Sequence, residues 1–141
     1  GCGKGRVDCY LSYQTRCHSI GVEYDPRIYE TAAENQKTAV SGGRTEFVLA
    51  DAGEFPVPGA VNRAYFFNPF SVELLQKVIR RILDSWYEVS REIRLFFYYP
   101  SDEYLAYLMT VDELVFADEI DCRELFDGND ARERIVEFVL E

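Results

Sequence analysis

Histidine occurs once in these 141 residues, at His18, and no two of the four cysteines, Cys2, Cys9, Cys17 and Cys122, have C-x-x-C spacing. A lone imidazole argues against a Ser/His or Cys/His catalytic pair. The cysteine spacing argues against a zinc or redox centre, so reduced thiols and no metal are expected. Cations are also scarce: 15 Lys and Arg face 25 Asp and Glu, a formal net charge of −10. Nucleic-acid affinity comes largely from cations that displace counterions, so this balance disfavours a broad phosphate-binding face. No apolar run reaches the roughly 18 residues of a membrane span, and no basic-apolar leader opens the chain. A cytoplasmic protein without a membrane partner is the expectation. Hydrophobic residues make up 48% and aromatics 15%, enough to build the core of one domain over residues 1–141.

Apolar spacing and punctuation then order the chain. Residues 4–16 have helical periodicity, and Ser19–Glu23 reads as a short buried strand. Asp25-Pro26 suits a helix start, with aspartate at the N-cap and proline in the first turn. Ser41-Gly42-Gly43 is expected to end that helix, before a second strand over residues 46–50. Two prolines and a glycine make residues 55–59 a loop. A third strand covers residues 64–67, and Ser71 caps a long helix whose apolar face runs from Val72 to Trp86, with Trp86 taken as core. Residues 93–99 are almost unbroken in apolar character, which suits a strand covered on both sides. Ser101 caps another helix. Residues 115–121 and 135–140 then read as an antiparallel pair, because no helical pattern separates them. Strands alternating with helices predict an α/β fold, a three-layer Rossmann-like sheet, mostly parallel, closed by an antiparallel pair.

In such sheets, ligands bind outside the carboxyl ends of the strands. Four features fall at those ends: the glycine-rich loop Gly1-Cys2-Gly3-Lys4-Gly5, then Glu23-Tyr24, Asp51-Ala52, and Asn68-Pro69-Phe70. A glycine turn entering a helix, followed about twenty residues later by an acid, is a pattern that binds nucleoside cofactors. Each member also has a plainer reading. Glu23 can cap the helix that starts near Asp25, Asp51 can open a polar loop, and Asn68 can fix its loop through backbone hydrogen bonds.

Together these residues resemble the class I S-adenosylmethionine-dependent methyltransferases over nearly the whole chain. Gly1, Gly3 and Gly5 are similar to the family's first motif without its leading strand, so the resemblance implies an N-terminally incomplete domain whose first central strand lies upstream of Gly1. It implies that Glu23, with Tyr24, meets the ribose hydroxyls of S-adenosyl-L-methionine. Asp51 and Ala52 would meet the adenine, and Asn68 would sit beside the transferable methyl as the candidate catalytic residue. Pro69, Phe70 and Tyr99 would line the acceptor site. Asn68-Pro69 departs from the Asn-Pro-Pro-aromatic motif of amino-group methyltransferases by one proline. A small-molecule or protein acceptor is expected before a nucleic acid. The competing readings are a nicotinamide or flavin oxidoreductase, in which Arg6 stands where the last fingerprint glycine belongs, and a non-catalytic scaffold subunit of the same fold.

Overall fold

The structure, a computed structural model, describes residues 1–67 and 70–141. The chain divides into two units, Gly1–Phe55 and Pro56–Glu141. In the first, helix α1 (Arg6–Thr15) leads to strand β1 (Ser19–Glu23), helix α2 (Pro26–Thr38) and strand β2 (Thr45–Leu49). β1 and β2 pair in parallel, with Gly21 opposite Phe47 and Glu23 opposite Leu49. Asp25 caps α2 by accepting a hydrogen bond from the Arg27 amide at 2.8 Å. The helix stops at Thr38, before the expected glycines, which instead form a single 3-10 turn at Gly42–Arg44. Ser41 explains the early stop: it is buried, and its hydroxyl donates to the Cys9 carbonyl at 2.6 Å.

The interior of this unit is partly polar, and most of these groups have partners, the buried Nε of Arg44 being an exception. The hydroxyl of fully buried Ser12 meets that of Ser19 at 3.1 Å, and its carbonyl accepts from Arg44 at 2.9 Å. Asp8, in the first turn of α1, is less well served. Burial pushes its carboxyl up to about 6, against a weaker pull downward from its own backbone amide. Its folded pKa thus lies above the unfolded value near 3.8. The folded state therefore binds more protons between these values, so stability falls as pH rises from about 4 to about 6. At neutral pH the penalty is at most about 3 kcal/mol. Asp8→Asn is expected to stabilise the protein by about 1–3 kcal/mol at pH 7.5 and by nothing measurable at pH 3.5, read from urea melts at each pH. An equal gain at both would remove burial of the charge as the cause.

The second unit comprises β3 (Arg63–Phe67), α3 (Val72–Glu88), β4 (Ile93–Tyr98), α4 (Asp102–Leu108), β5 (Val115–Asp121) and β6 (Arg134–Leu140). Its sheet has the order β3-β4-β6-β5, parallel between β3 and β4 and antiparallel thereafter. The antiparallel pair expected from the tail is present, and β6 carries it into the sheet beside β4. Ser71 and Ser101 cap α3 and α4 through the amides of Leu74 and Tyr104. One sheet face is closed by an apolar core. Leu75, Val78, Ile79 and Ile82 of α3 are buried, as are Ile93, Leu95 and Phe97 of β4 and Val136, Phe138 and Leu140 of β6. Phe97 is its centre, stacked on Phe66 with centroids 4.7 Å apart and edge-on to Phe138 and Tyr104.

The other face is not covered in the same way. Arg94, Phe96 and Tyr98 alternate with the buried positions and are partly exposed, so β4 lacks the two-sided cover its apolar run suggested. Arg94 lies here between Glu92 at 2.8 Å and Glu137 at 2.7 Å. Arg91 ties the proline loop to the end of α3, donating to the carbonyls of Val61 at 2.6 Å and Ser85 at 3.0 Å. No helix among the described residues is long and apolar enough to cross a membrane.

Candidate functional site

The glycine loop is built by what surrounds it. The Cys2 amide donates to the Val22 carbonyl at 2.9 Å, which lays the loop beside β1. Gly3 and Gly5 then turn the chain into α1 with φ of 60° and 77°, in the left-handed region that other residues avoid. Gly5 is required a second time, because a Cβ there would run into the ring of Phe47. Asn35 of α2 steadies the loop by donating to the Lys4 carbonyl at 2.9 Å. The Cys2 thiol is pushed up to about 12, first by burial and then by the neighbouring Asp8 carboxylate, so it stays protonated and is a poor nucleophile.

Glu23 joins this loop to the end of β1. Its side chain is buried, at 8% exposure, and Oε2 accepts from the Gly3 amide at 2.9 Å while Oε1 faces the Asp25 amide at 3.4 Å. By these contacts Glu23 has the plainer, structural role. It holds the glycine turn and the start of α2, and each oxygen keeps a further lone pair.

At the carboxyl ends of β1 and β2, a cavity of about 350 Å³ is lined by Tyr24, Pro26, Leu49, Ala50 and Asp51. Its size falls within the usual range of small-ligand sites. Parallel register sets these residues side by side, and the Ala50 amide extends the pairing by donating to the Glu23 carbonyl at 3.0 Å. Asp51 turns its own loop, its Oδ1 accepting from the Gly53 amide at 2.8 Å. Ala52 follows in that turn, partly buried. The structure therefore brings Gly3 and Glu23 into contact and places Tyr24 and Asp51 on one cavity. Gly1 leads into the loop and is exposed. Pro26 and Leu49 were missed in the sequence. Leu49 stands opposite Glu23 in a register that only the fold reveals.

The remaining expected residues belong to the second unit. Asn68 and Pro69 lie outside the described residues. Phe70 is held from both sides of its backbone by Tyr104: the hydroxyl donates to the Phe70 carbonyl at 2.6 Å and accepts from its amide at 2.8 Å. Tyr104 is itself only 2% exposed and serves as an anchor. Tyr99 ends β4 in a left-handed conformation, φ 53°, with its hydroxyl on Asp130. Among the described residues, no group of three or more His, Cys, Asp or Glu is placed to hold a metal ion.

No protein-family model and no curated protein matches this chain. Solved structures do. An rRNA methylase from Streptococcus thermophilus is matched with a TM-score of 0.66 at 14% identity, over 100% of this chain and 82% of that one. An RNA methyltransferase from Salinibacter ruber, in complex with S-adenosyl-L-homocysteine, gives 0.64 at 17% identity, over 99% and 76%. The magnesium protoporphyrin IX methyltransferase of Synechocystis PCC 6803, with bound SAM, gives 0.69 at 16% identity, over 100% and 67%. Two of these three are described by an RNA substrate and one by a porphyrin, so they lend no support to ranking nucleic acid last among acceptors. At these identities the likeness is one of architecture. The chain has the Rossmann-like fold of S-adenosylmethionine-dependent methyltransferases.

Proposed function

We propose that this chain is the core of an S-adenosylmethionine-dependent methyltransferase. The observation that carries the reading is the buried Glu23 carboxylate, bonded to the Gly3 amide and set at the strand end beside an empty-sided cavity of about 350 Å³. The donor set suits a nucleoside. Glu23 has spare acceptor capacity for both hydroxyls of a ribose diol, in charge-assisted hydrogen bonds. Leu49, Ala50 and Pro26 offer apolar walls for a flat base, and the second oxygen of Asp51 can accept from an exocyclic amino group. The turn at Gly3 and Gly5 lets the ligand approach bare backbone. Tyr24, 74% exposed, is free to close over the base.

When bound, the cofactor would supply an electrophilic methyl on a sulfonium, whose leaving group is a neutral thioether. The protein has little acid-base work to do in such a transfer. Its contribution is to hold the partners in line, worth roughly 7–11 kcal/mol when geometry is well fixed. That division of labour accounts for a site with one histidine in the whole chain and no triad. By the family resemblance, Asn68 would serve the methyl transfer, and Pro69, Phe70 and Tyr99 would serve acceptor binding. The acceptor's proton leaves to solvent or to a base on the acceptor side. Calorimetric titration of the protein with S-adenosylmethionine is expected to show saturable one-site binding, with S-adenosylhomocysteine competing. Absence of heat from folded protein, or tighter binding of NADH or FAD in the same cell, would overturn this reading in favour of the oxidoreductase or the scaffold.

A further inference from the structure

Phe67 closes β3 with its ring 58% exposed, although it belongs to an ordered aromatic corner. Tyr98 lies 5.0 Å from it at a 39° tilt, and Tyr99 meets it edge-on at 6.5 Å. This corner is fixed by an unusual number of polar contacts. Tyr98 donates its hydroxyl to Glu133 at 2.5 Å, and Tyr99 donates to Asp130. The Arg132 guanidinium sits 4.2 Å over the Tyr99 ring and also donates to the Tyr99 carbonyl at 3.2 Å. Tyr99 is held by these contacts at positive φ, a conformation non-glycine residues adopt where their surroundings over-determine it. Both hydroxyls, both carboxylates and the guanidinium are thereby engaged with protein partners. What the corner adds to these charged groups is exposed ring surface, most of it on Phe67.

We propose that Phe67, Tyr98 and Tyr99 form a stacking platform for a planar aromatic or heteroaromatic acceptor; its role as acceptor site rests on the methyl-transfer reading. A rigid ring corner selects for flatness, since aromatic pairs gain from offset or edge geometry that a puckered ring cannot match. It also binds at low entropic cost, because its own rotamers are already fixed.

The test uses two probes with one carbon skeleton, 2-naphthol and decahydro-2-naphthol, with affinities from saturation-transfer NMR on the full chain. The flat probe is expected to bind and the saturated one to bind at least several-fold more weakly. Phe67→Leu keeps apolar volume but removes the π face, and should weaken naphthol binding roughly 3- to 10-fold. Phe67→Tyr should retain it, and thermal melts confirm that both variants are folded. Equal affinity for the two probes, or no loss in Phe67→Leu, overturns the platform. A parallel titration with S-adenosylmethionine separates the two readings. Naphthol binding without donor binding overturns the donor reading alone, and donor binding without Phe67-dependent naphthol binding overturns the platform alone. Displacement of naphthol by a single-stranded RNA 12-mer at equal base concentration assigns the ring to a nucleobase. Failure to displace it assigns a free small molecule.

Discussion

Glu23→Ala is expected to weaken S-adenosylmethionine binding by about 100-fold or more, the largest effect of any single change in the first unit. Two losses add. The carboxylate can no longer accept from a ribose diol, and charge-assisted hydrogen bonds of this kind contribute about 1.5–3 kcal/mol each. The Gly3 amide, 2.9 Å from Oε2, also loses its anchor, which frees the glycine turn the ligand must approach. Glu23→Gln separates the two roles. It keeps an acceptor oxygen for Gly3 but lacks the charge, so affinity should fall between wild type and alanine while the melting temperature stays closer to wild type. Calorimetry on the three proteins measures this directly. Unchanged affinity in Glu23→Ala would reduce the side chain to a structural cap.

Gly5→Ala should cost about 2–4 kcal/mol of folding stability, through two independent penalties. The residue sits at φ 77°, where an L side chain costs about 1–2 kcal/mol. The added methyl would also collide with Phe47, and overfilling a packed site typically costs about 1–3 kcal/mol. Phe47 has little room to withdraw, being 8% exposed under β1. Gly43→Ala is the internal control: its Cβ would meet nothing within 4 Å, and its φ is ordinary. Chemical denaturation should leave Gly43→Ala within about 0.5 kcal/mol of wild type. A Gly5→Ala protein of similar stability would mean that the Phe47 ring is free to move.

What the sequence made legible was local. Asp25, Ser71 and Ser101 announced three helix starts because an N-cap needs only its own side chain and an amide two or three residues on. The antiparallel tail was legible for a similar reason: residues 115–121 and 135–140 carry strand patterns with no long helical pattern between. Failures came where distant residues decide. The end of α2 is set by Ser41 reaching Cys9, 32 positions away, which no pattern near Gly42 reveals. β4 looked doubly covered because Phe96 and Tyr98 are apolar by type, but the outward face spends them on a partly exposed aromatic surface. Arg94 was the one hint of that face. At the site, an acid near the glycine loop was visible, whereas its bond to the Gly3 amide needed the fold. The clamp of Tyr104 on Phe70 spans 34 positions and left no sequence signal at all. The single-domain expectation and the ligand-binding roles of all the site residues are proposals.

Among the described residues, β5 is the outermost strand of the second sheet, exposed at every position and paired on one side only. Left flat and apolar, such a border invites a foreign strand to pair with it. Here Asp118, Glu119 and Asp121 line it, and an irregularity between Phe116 and Asp118 breaks its regular hydrogen-bonding rhythm. Arg123 holds the Asp121 carboxyl at about 2, so this ion pair on the border keeps both its charges at a lower pH than an ordinary surface carboxylate would.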